Sequence, residues 1–152
     1  MTRRNLLRKG WLASLSLLAV LLALTPVQVM ANTYTFQIVS VRLLDDAGNP
    51  RTSFVRGEFV MVEATIRNIM AYSYAEEPFL MLARMMKEDT MWGLGFFRAS
   101  LLSGASITAG PGISTTGIPA GTYKMTVFVW SNWASLGGYP VAASVEVTFT
   151  VT

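Results

Sequence analysis

Cysteine and histidine are both absent from the 152 residues of this chain. Without cysteine no disulfide braces the fold, and no thiolate can attack a substrate or hold a soft metal. Without histidine the commonest general base and the commonest nitrogen ligand are missing. Zinc centres built on those side chains, Ser-His-Asp triads and Cys-His pairs are therefore excluded. Charge is sparse too, and its basic excess is confined to one end. The whole chain carries +3, but Arg3, Arg4, Arg8 and Lys9 stand in residues 1–31 with no acid among them. The other 121 residues hold 8 basic and 9 acidic side chains, a balance of −1. The basic character says nothing about a ligand, and no basic stripe for nucleic-acid phosphates is present.

What the N-terminus does have is the order of an export signal. The basic stretch is followed by an apolar run from Trp11 to Leu24, broken only by Ser14 and Ser16. As a helix these residues rise about 21 Å, short of the roughly 30 Å hydrocarbon core of a bilayer. Thr25-Pro26 ends the run, because proline has no amide proton to continue the ladder. Val29-Met30-Ala31 then supplies short side chains for a signal peptidase. Residues 1–31 are expected to be a signal peptide cleaved after Ala31. The alternative is an uncleaved membrane anchor over residues 11–31. In either case residues 32–152 lie outside the cytoplasmic membrane, in the extracellular space or on the cell surface. Thr2-Arg3-Arg4-Asn5-Leu6-Leu7-Arg8 also resembles the twin-arginine export motif, so the general secretory and twin-arginine routes both stay open.

Beyond Ala31 the pattern is β throughout. Tyr34, Phe36 and Ile38 alternate with polar neighbours; then the phase changes, and Val39, Val41 and Leu43 carry the apolar side. Such a switch implies a bulge or a strand that leaves one sheet for another. Asp45 to Pro50 has turn chemistry. Val60, Val62, Ala64 and Ile66 alternate with Met61, Glu63, Thr65 and Arg67, a half-buried strand that exits at Asn68. Phe79–Met86 and Met91–Phe97 read as two further strands, the first with enough Leu and Met to keep a helix open. A short strand is expected in 104–108. Gly121-Thr122-Tyr123 leads into a strand with Tyr123, Met125, Val127 and Val129 on one side. That entry places Tyr123 at a tyrosine corner, its ring inside and its hydroxyl on backbone. Ala143, Val145, Val147, Phe149 and Val151 form the last alternating set. The expectation is an all-β, antiparallel sandwich of seven or eight strands over residues 32–152, preceded by a hydrophobic N-terminal helix.

Glu58 to Asn68 (Glu-Phe-Val-Met-Val-Glu-Ala-Thr-Ile-Arg-Asn), followed at 118–123 by Ile-Pro-Ala-Gly-Thr-Tyr and an alternating strand, resembles the immunoglobulin-like modules of prokaryotic, especially archaeal, cell-surface proteins. The closest kind is the CARDB-like module (cell adhesion related domain found in bacteria). The resemblance spans about residues 36–152, although Ile69-Met70-Ala71 stands where the family carries a glycine. It implies an immunoglobulin-like fold and a binding or structural role, and it supplies no catalytic residue.

Few constellations point to chemistry. Asp45, Asp46 and Asn49, or Glu76, Glu77, Glu88 and Asp89, offer oxygens to calcium, but without the Asp-x-Asp-x-Asp spacing they read as solvated turns. Nothing sets two carboxylates in a cleft for glycoside hydrolysis. The seven methionines after residue 31 suit core filling better than copper. Gly110-Pro111-Gly112 is a loop with no lysine after it to meet a phosphate. Trp130, Trp133 and Tyr139 gather rings near one loop, either as a contact surface for a protein or glycan or as a cover over the sheet edge.

These readings leave no enzyme, no catalytic or metal-binding residues and no cofactor. They leave an exported envelope module with a structural, adhesive or binding role, whose partners are the export machinery, the membrane through the leader, and a cell-surface protein or glycan. The alternative is a self-associating filament subunit, in which residues 32–44 with Tyr34, Phe36 and Ile38 form a donor strand for a neighbour.

Overall fold

The computed structural model describes residues 34–71 and 74–152. The expected leader, with its helix, cleavage point and export motif, lies outside the described residues. Nine strands run through the described chain: β1 (Phe36–Leu44), β2 (Ser53–Phe54), β3 (Phe59–Asn68), β4 (Glu77–Lys87), β5 (Thr90–Leu101), β6 (Ser106–Ala109), β7 (Gly112–Ser114), β8 (Gly121–Trp130) and β9 (Val145–Val151). Among the described residues a single 3-10 turn, Ala134–Leu136, is the only helical segment. No helix among the described residues is long and apolar enough to cross a membrane.

The strands form two sheets. One has the order β1-β3-β6, with β7 also pairing β3; the other has the order β2-β9-β8-β4-β5. Their facing sides share one apolar core. Val60, Val62, Ala64 and Ile66 of β3 meet Phe79, Met81, Ala83 and Met85 of β4 and Tyr123, Met125, Val127 and Val129 of β8, all with 2% exposure or less. On β3 and β8 these are the positions that the period-2 pattern placed on one side. Met81, Met85 and Met125 are core filling: each is fully buried, and a thioether chain adapts to irregular gaps.

The phase change in β1 is answered within one sheet. Ile38 pairs with Ile66 and Ser40 with Thr65, so Val39 is an extra residue with no partner opposite. Because Val39 is skipped, Phe36 and Ile38 before it and Val41 and Leu43 after it all face the core. Val39 itself stands 54% exposed.

Phe79–Met86 is a strand, not a helix. It is flanked by β5 and β8 on its two edges, and Leu80 on its outer face is as buried as Met81 on its inner one. Burial on both faces explains a continuous apolar run that hid its period.

Four features depart from expectation. The strand count exceeds seven or eight because β2 and β7, of two and three residues, are too short to show a period. Gly112 belongs to β7 rather than to a loop, and only Gly110 and Pro111 separate it from β6. A Cβ at Gly110 would run into the carbonyl oxygen of Val62, whose own N–H donates to the Pro111 carbonyl at 2.9 Å. The fold is also not wholly antiparallel, since β2 runs parallel to β9. After the Asp45 turn the chain crosses to the other sheet and reaches β9 travelling in the same direction. Ala143 lies outside β9 and is exposed.

Candidate functional site

Opposite residues in adjacent strands point to the same face of a sheet, so register alone maps the outer face of the five-stranded sheet. Arg98 of β5 pairs with Leu80 of β4, and Leu80 with Trp130 of β8. The next row is Phe96, Leu82 and Phe128, and the next is Leu94, Arg84 and Thr126. Met91 and Met86 follow, with Lys124 beside them. On β9 the same face carries Glu146, Thr148 and Thr150. The outer surface therefore divides in two. Toward β9 it is the Thr-rich, charged exterior usual for a strand in water. Toward β5 it is apolar, with Met91, Leu94 and Phe96 about half exposed and Trp92 37% exposed.

Trp92 sits where β5 shifts register. Met85 pairs with Gly93 but Met86 with Met91, so Trp92 is an extra residue between them. Gly93 and Gly95 on the inner side of β5 allow close cross-sheet approach: a Cβ at Gly95 would meet Pro111 at 2.7 Å, and one at Gly93 would meet Ile113 at 2.5 Å. The glycines that punctuate the aromatic run thus do packing duty within a strand and do not break it.

The loop after β8 extends this surface. Trp130 ends the strand and is bridged to Pro140. The Asn132 side chain accepts the Trp133 N–H at 2.9 Å, and the Trp133 ring meets Phe96 edge-to-face with centroids 5.2 Å apart. The Trp133 carbonyl accepts the N–H groups of Leu136 and Gly138, closing the 3-10 turn. Trp133 thus folds back over the edge strand and also joins the apolar face. Tyr139 stays 63% exposed and bonds Ser131 through backbone and hydroxyl contacts at 2.9 and 3.1 Å. The sequence grouping of Trp130, Trp133 and Tyr139 holds for one loop, but the surface it belongs to is wider. Phe96, Leu94, Leu82 and Phe128 complete it.

A shallow depression of about 320 Å³ lies in this face, lined by Leu82, Arg84, Met91, Leu94, Phe128 and Trp130. The Arg84 guanidinium lies 5.0 Å from the Phe128 ring centroid, a cation–π contact. Its Nε is enclosed and has no hydrogen-bond partner among the described residues, and no carboxylate pairs with it there. A cation set in an apolar surface without a counterion is a ready partner for an acceptor group on an incoming molecule.

The remaining sequence candidates have structural surroundings. The Tyr123 ring is fully buried, stacked on Phe149 at 5.7 Å, and its hydroxyl donates to the Pro119 carbonyl at 2.5 Å. Burial raises its pKa. Phe36 is buried against Phe79 at 5.1 Å, Ile38 packs on the core, and Tyr34 is partly buried. Phe36 also donates its N–H to the Val141 carbonyl at 3.0 Å. The carboxylate of Asp45 accepts the N–H groups of Ala47 and Asn49 at 3.0 and 2.8 Å, with Gly48 at positive φ between them. Among the described residues no three acidic side chains gather to hold a metal ion.

Two buried polar residues carry connections that the sequence did not flag. Asn68 is fully buried; its Nδ2 donates to the Leu101 carbonyl at 2.9 Å and its Oδ1 accepts the Met70 N–H at 3.0 Å. It joins the end of β3 to the end of β5 in the other sheet. The Thr115 hydroxyl accepts the Gly57 N–H at 2.9 Å and faces the carbonyls of Val55 and Glu58, clasping the turn before β3.

No protein-family model matches the chain, and no curated protein is found similar to it. Among solved structures it is similar to a β-glucosidase from Listeria innocua, both alone and in complex with glucose, at 14% identity and a TM-score of 0.48. The same protein in complex with gluconolactone gives 0.45. The match covers 74% of this chain and only 16% of that one, so the chain spans less than a fifth of the enzyme's length.

Proposed function

We propose that this protein is an exported, non-catalytic module of the cell envelope, an immunoglobulin-like sandwich of the CARDB-like adhesive kind, which docks a surface partner on the apolar half of its five-stranded sheet. The observation that carries the reading is the division of that outer face. Water-facing strands normally present the surface of Glu146, Thr148 and Thr150; Met91, Leu94, Phe96 and Trp92 stand exposed on the same sheet. A continuous apolar area rimmed by polar residues is the usual mark of an interaction site. The rings of Phe128, Trp130 and Trp133 add rigid area of the kind that dominates interface energetics. The signal-like residues 1–31 support export, and the lack of cysteine and histidine argues against catalysis.

The test is co-sedimentation of the exported protein with isolated envelopes of its own cells. Leu82→Ser with Phe128→Ser removes the centre of the face without touching a strand edge. The native protein should pellet with envelopes and the double variant should stay in solution while keeping its β circular dichroism. Equal pelleting of the two, or none by either, would overturn the reading.

A filament subunit assembled by donor-strand exchange through residues 32–44 is the competing reading. It requires Tyr34, Phe36 and Ile38 to leave their own sheet. The burial of Phe36 against Phe79 and its bond to Val141 favour the closed form.

A further inference from the structure

Two sheets have four edges, and three of these are closed to pairing. The β1 edge is bulged at Val39, its Phe36 N–H is taken by Val141 at one end, and its Leu43 carbonyl by Arg51 at the other. The β2 edge is two residues long. The edge opposite β1 is divided into β6 and β7, four and three residues, by Gly110 and Pro111. Short strands, bulges and proline are the devices that stop a sheet from adding strands.

The β5 edge has none of them over most of its length. β5 has 12 residues, and beyond the extra residue Trp92 it runs from Gly93 to Leu101 without a register shift. That stretch contains no proline, no lysine and a single charge, Arg98. Among the described residues its one strand partner is β4.

We propose that the β5 edge pairs with the β5 edge of a second copy of this chain, antiparallel about a two-fold axis at Phe96, joining two five-stranded sheets into one. Residues opposite each other across a continuous sheet must share a face. An axis through any residue meets that demand along the strand, and one at Phe96 also keeps the single edge charge, Arg98, off its own copy. Phe96 then faces Phe96 of the second copy and Leu94 faces its Arg98, while Gly93 faces Ala99 on the inner side. The lone edge charge runs its guanidinium beside the Phe96 ring, a cation–π arrangement, and the two Arg98 side chains stay apart. The seven residues that pair about that axis, Gly93 to Ala99, give about 23 Å of edge. A strip of that length covers less than about 1,200 Å² over both partners, the range of weak, reversible association. Edge pairing leaves the outer faces open and sets the two apolar areas side by side. It does not depend on the docking reading, since it is read with no envelope present.

Because the chain contains no cysteine, single cysteines report the register directly. Opposed Cα atoms in antiparallel strands lie about 4.5–5.5 Å apart, within disulfide reach. Phe96→Cys, Leu94→Cys, Arg98→Cys and the control Val39→Cys are made in the full chain and oxidised mildly. Covalent dimer is read on a non-reducing gel, with circular dichroism to check folding. Phe96→Cys should yield at least five times the dimer of Val39→Cys. Leu94→Cys mixed with Arg98→Cys should crosslink more than either alone. Adding Leu94→Lys to Phe96→Cys should cut the yield. A yield from Phe96→Cys no greater than from Val39→Cys overturns the proposal, as does a maximum at any other position of the series.

Discussion

The hydroxyl of Tyr123 donates to the carbonyl of Pro119, four residues before it, at 2.5 Å. The bond fixes the corner where the chain enters β8, and the ring beneath it is held between Phe149 and the Lys87 ammonium, 5.7 Å from its centre. Tyr123→Phe loses the hydrogen bond alone and should cost about 0.5–1.5 kcal/mol. Tyr123→Ala also empties the ring site and should cost about 3–5 kcal/mol. Denaturant unfolding of both variants checks this, and equal mild losses would contradict the corner's role.

Asn68 offers a sharper loss for its size. Its amide bridges the ends of strands from opposite sheets with no exposure to water. Asn68→Ala leaves the Leu101 carbonyl and the Met70 N–H without these partners, and should cost about 2–4 kcal/mol. Asn68→Asp should be comparably harmful, because it replaces the donor to Leu101 with an acceptor. Unfolding midpoints measured at neutral pH decide it.

Two glycines separate steric from backbone effects. Gly110→Ala drives a methyl into the Val62 carbonyl and should cost about 3 kcal/mol or more, beyond ordinary overpacking. Gly48→Ala meets open space and pays only for its φ of 82°, about 1 kcal/mol. A ranking of the two reversed in thermal melts would refute the close approach.

Asp45 sets an acid-side dependence. Backbone donation from Asn49 is the main cause that lowers its pKa below the ordinary 3.8, helped by the Ala47 N–H and the Arg51 charge. A carboxylate with a depressed folded pKa stabilises above its unfolded pKa, and that contribution is lost as pH falls through the folded value. The melting temperature should therefore begin to drop below about pH 4. Asp45→Asn keeps an acceptor oxygen without the titration, and its melting curve should be flatter over that range.

The mature N-terminus is predicted to be Asn32. Mass spectrometry of protein recovered outside the cell checks it. A start at Met1 or Thr2 on that material would favour the anchored form.

Legibility followed period and length. β3 and β8 alternate over ten residues each, so their inward sets could be read directly. The bulge in β1 was legible because a skipped residue inverts the apolar phase on either side of it. β2 and β7 left no trace, having too few residues for a period, and the parallel β2–β9 pairing depends on a crossover that no local pattern encodes. For the candidate site, alternation shows that Leu94 and Phe96 share a side but not that this side faces water. Gly93 and Gly95 masked it further, since inner-face glycines made room for Pro111 and Ile113 and left the larger side chains outside. Asn68 and Thr115 could not be singled out from the sequence, because a hydrogen-bond hub has no signature in spacing.

Val39 illustrates a difference between what a position holds and whether it is there at all. Its side chain is largely in water and opposes nothing on β3, so nearly any residue should serve. The position itself is a spacer in a count: Phe36 and Ile38 face inward on one parity, Val41 and Leu43 on the other. A deletion of this one exposed residue would throw one half of β1 onto the wrong face of the sheet. Natural variation at this point should therefore run freely in residue type while chain length through the strand stays constant, and an insertion–deletion scan should find β1 least tolerant where a substitution scan finds it most permissive.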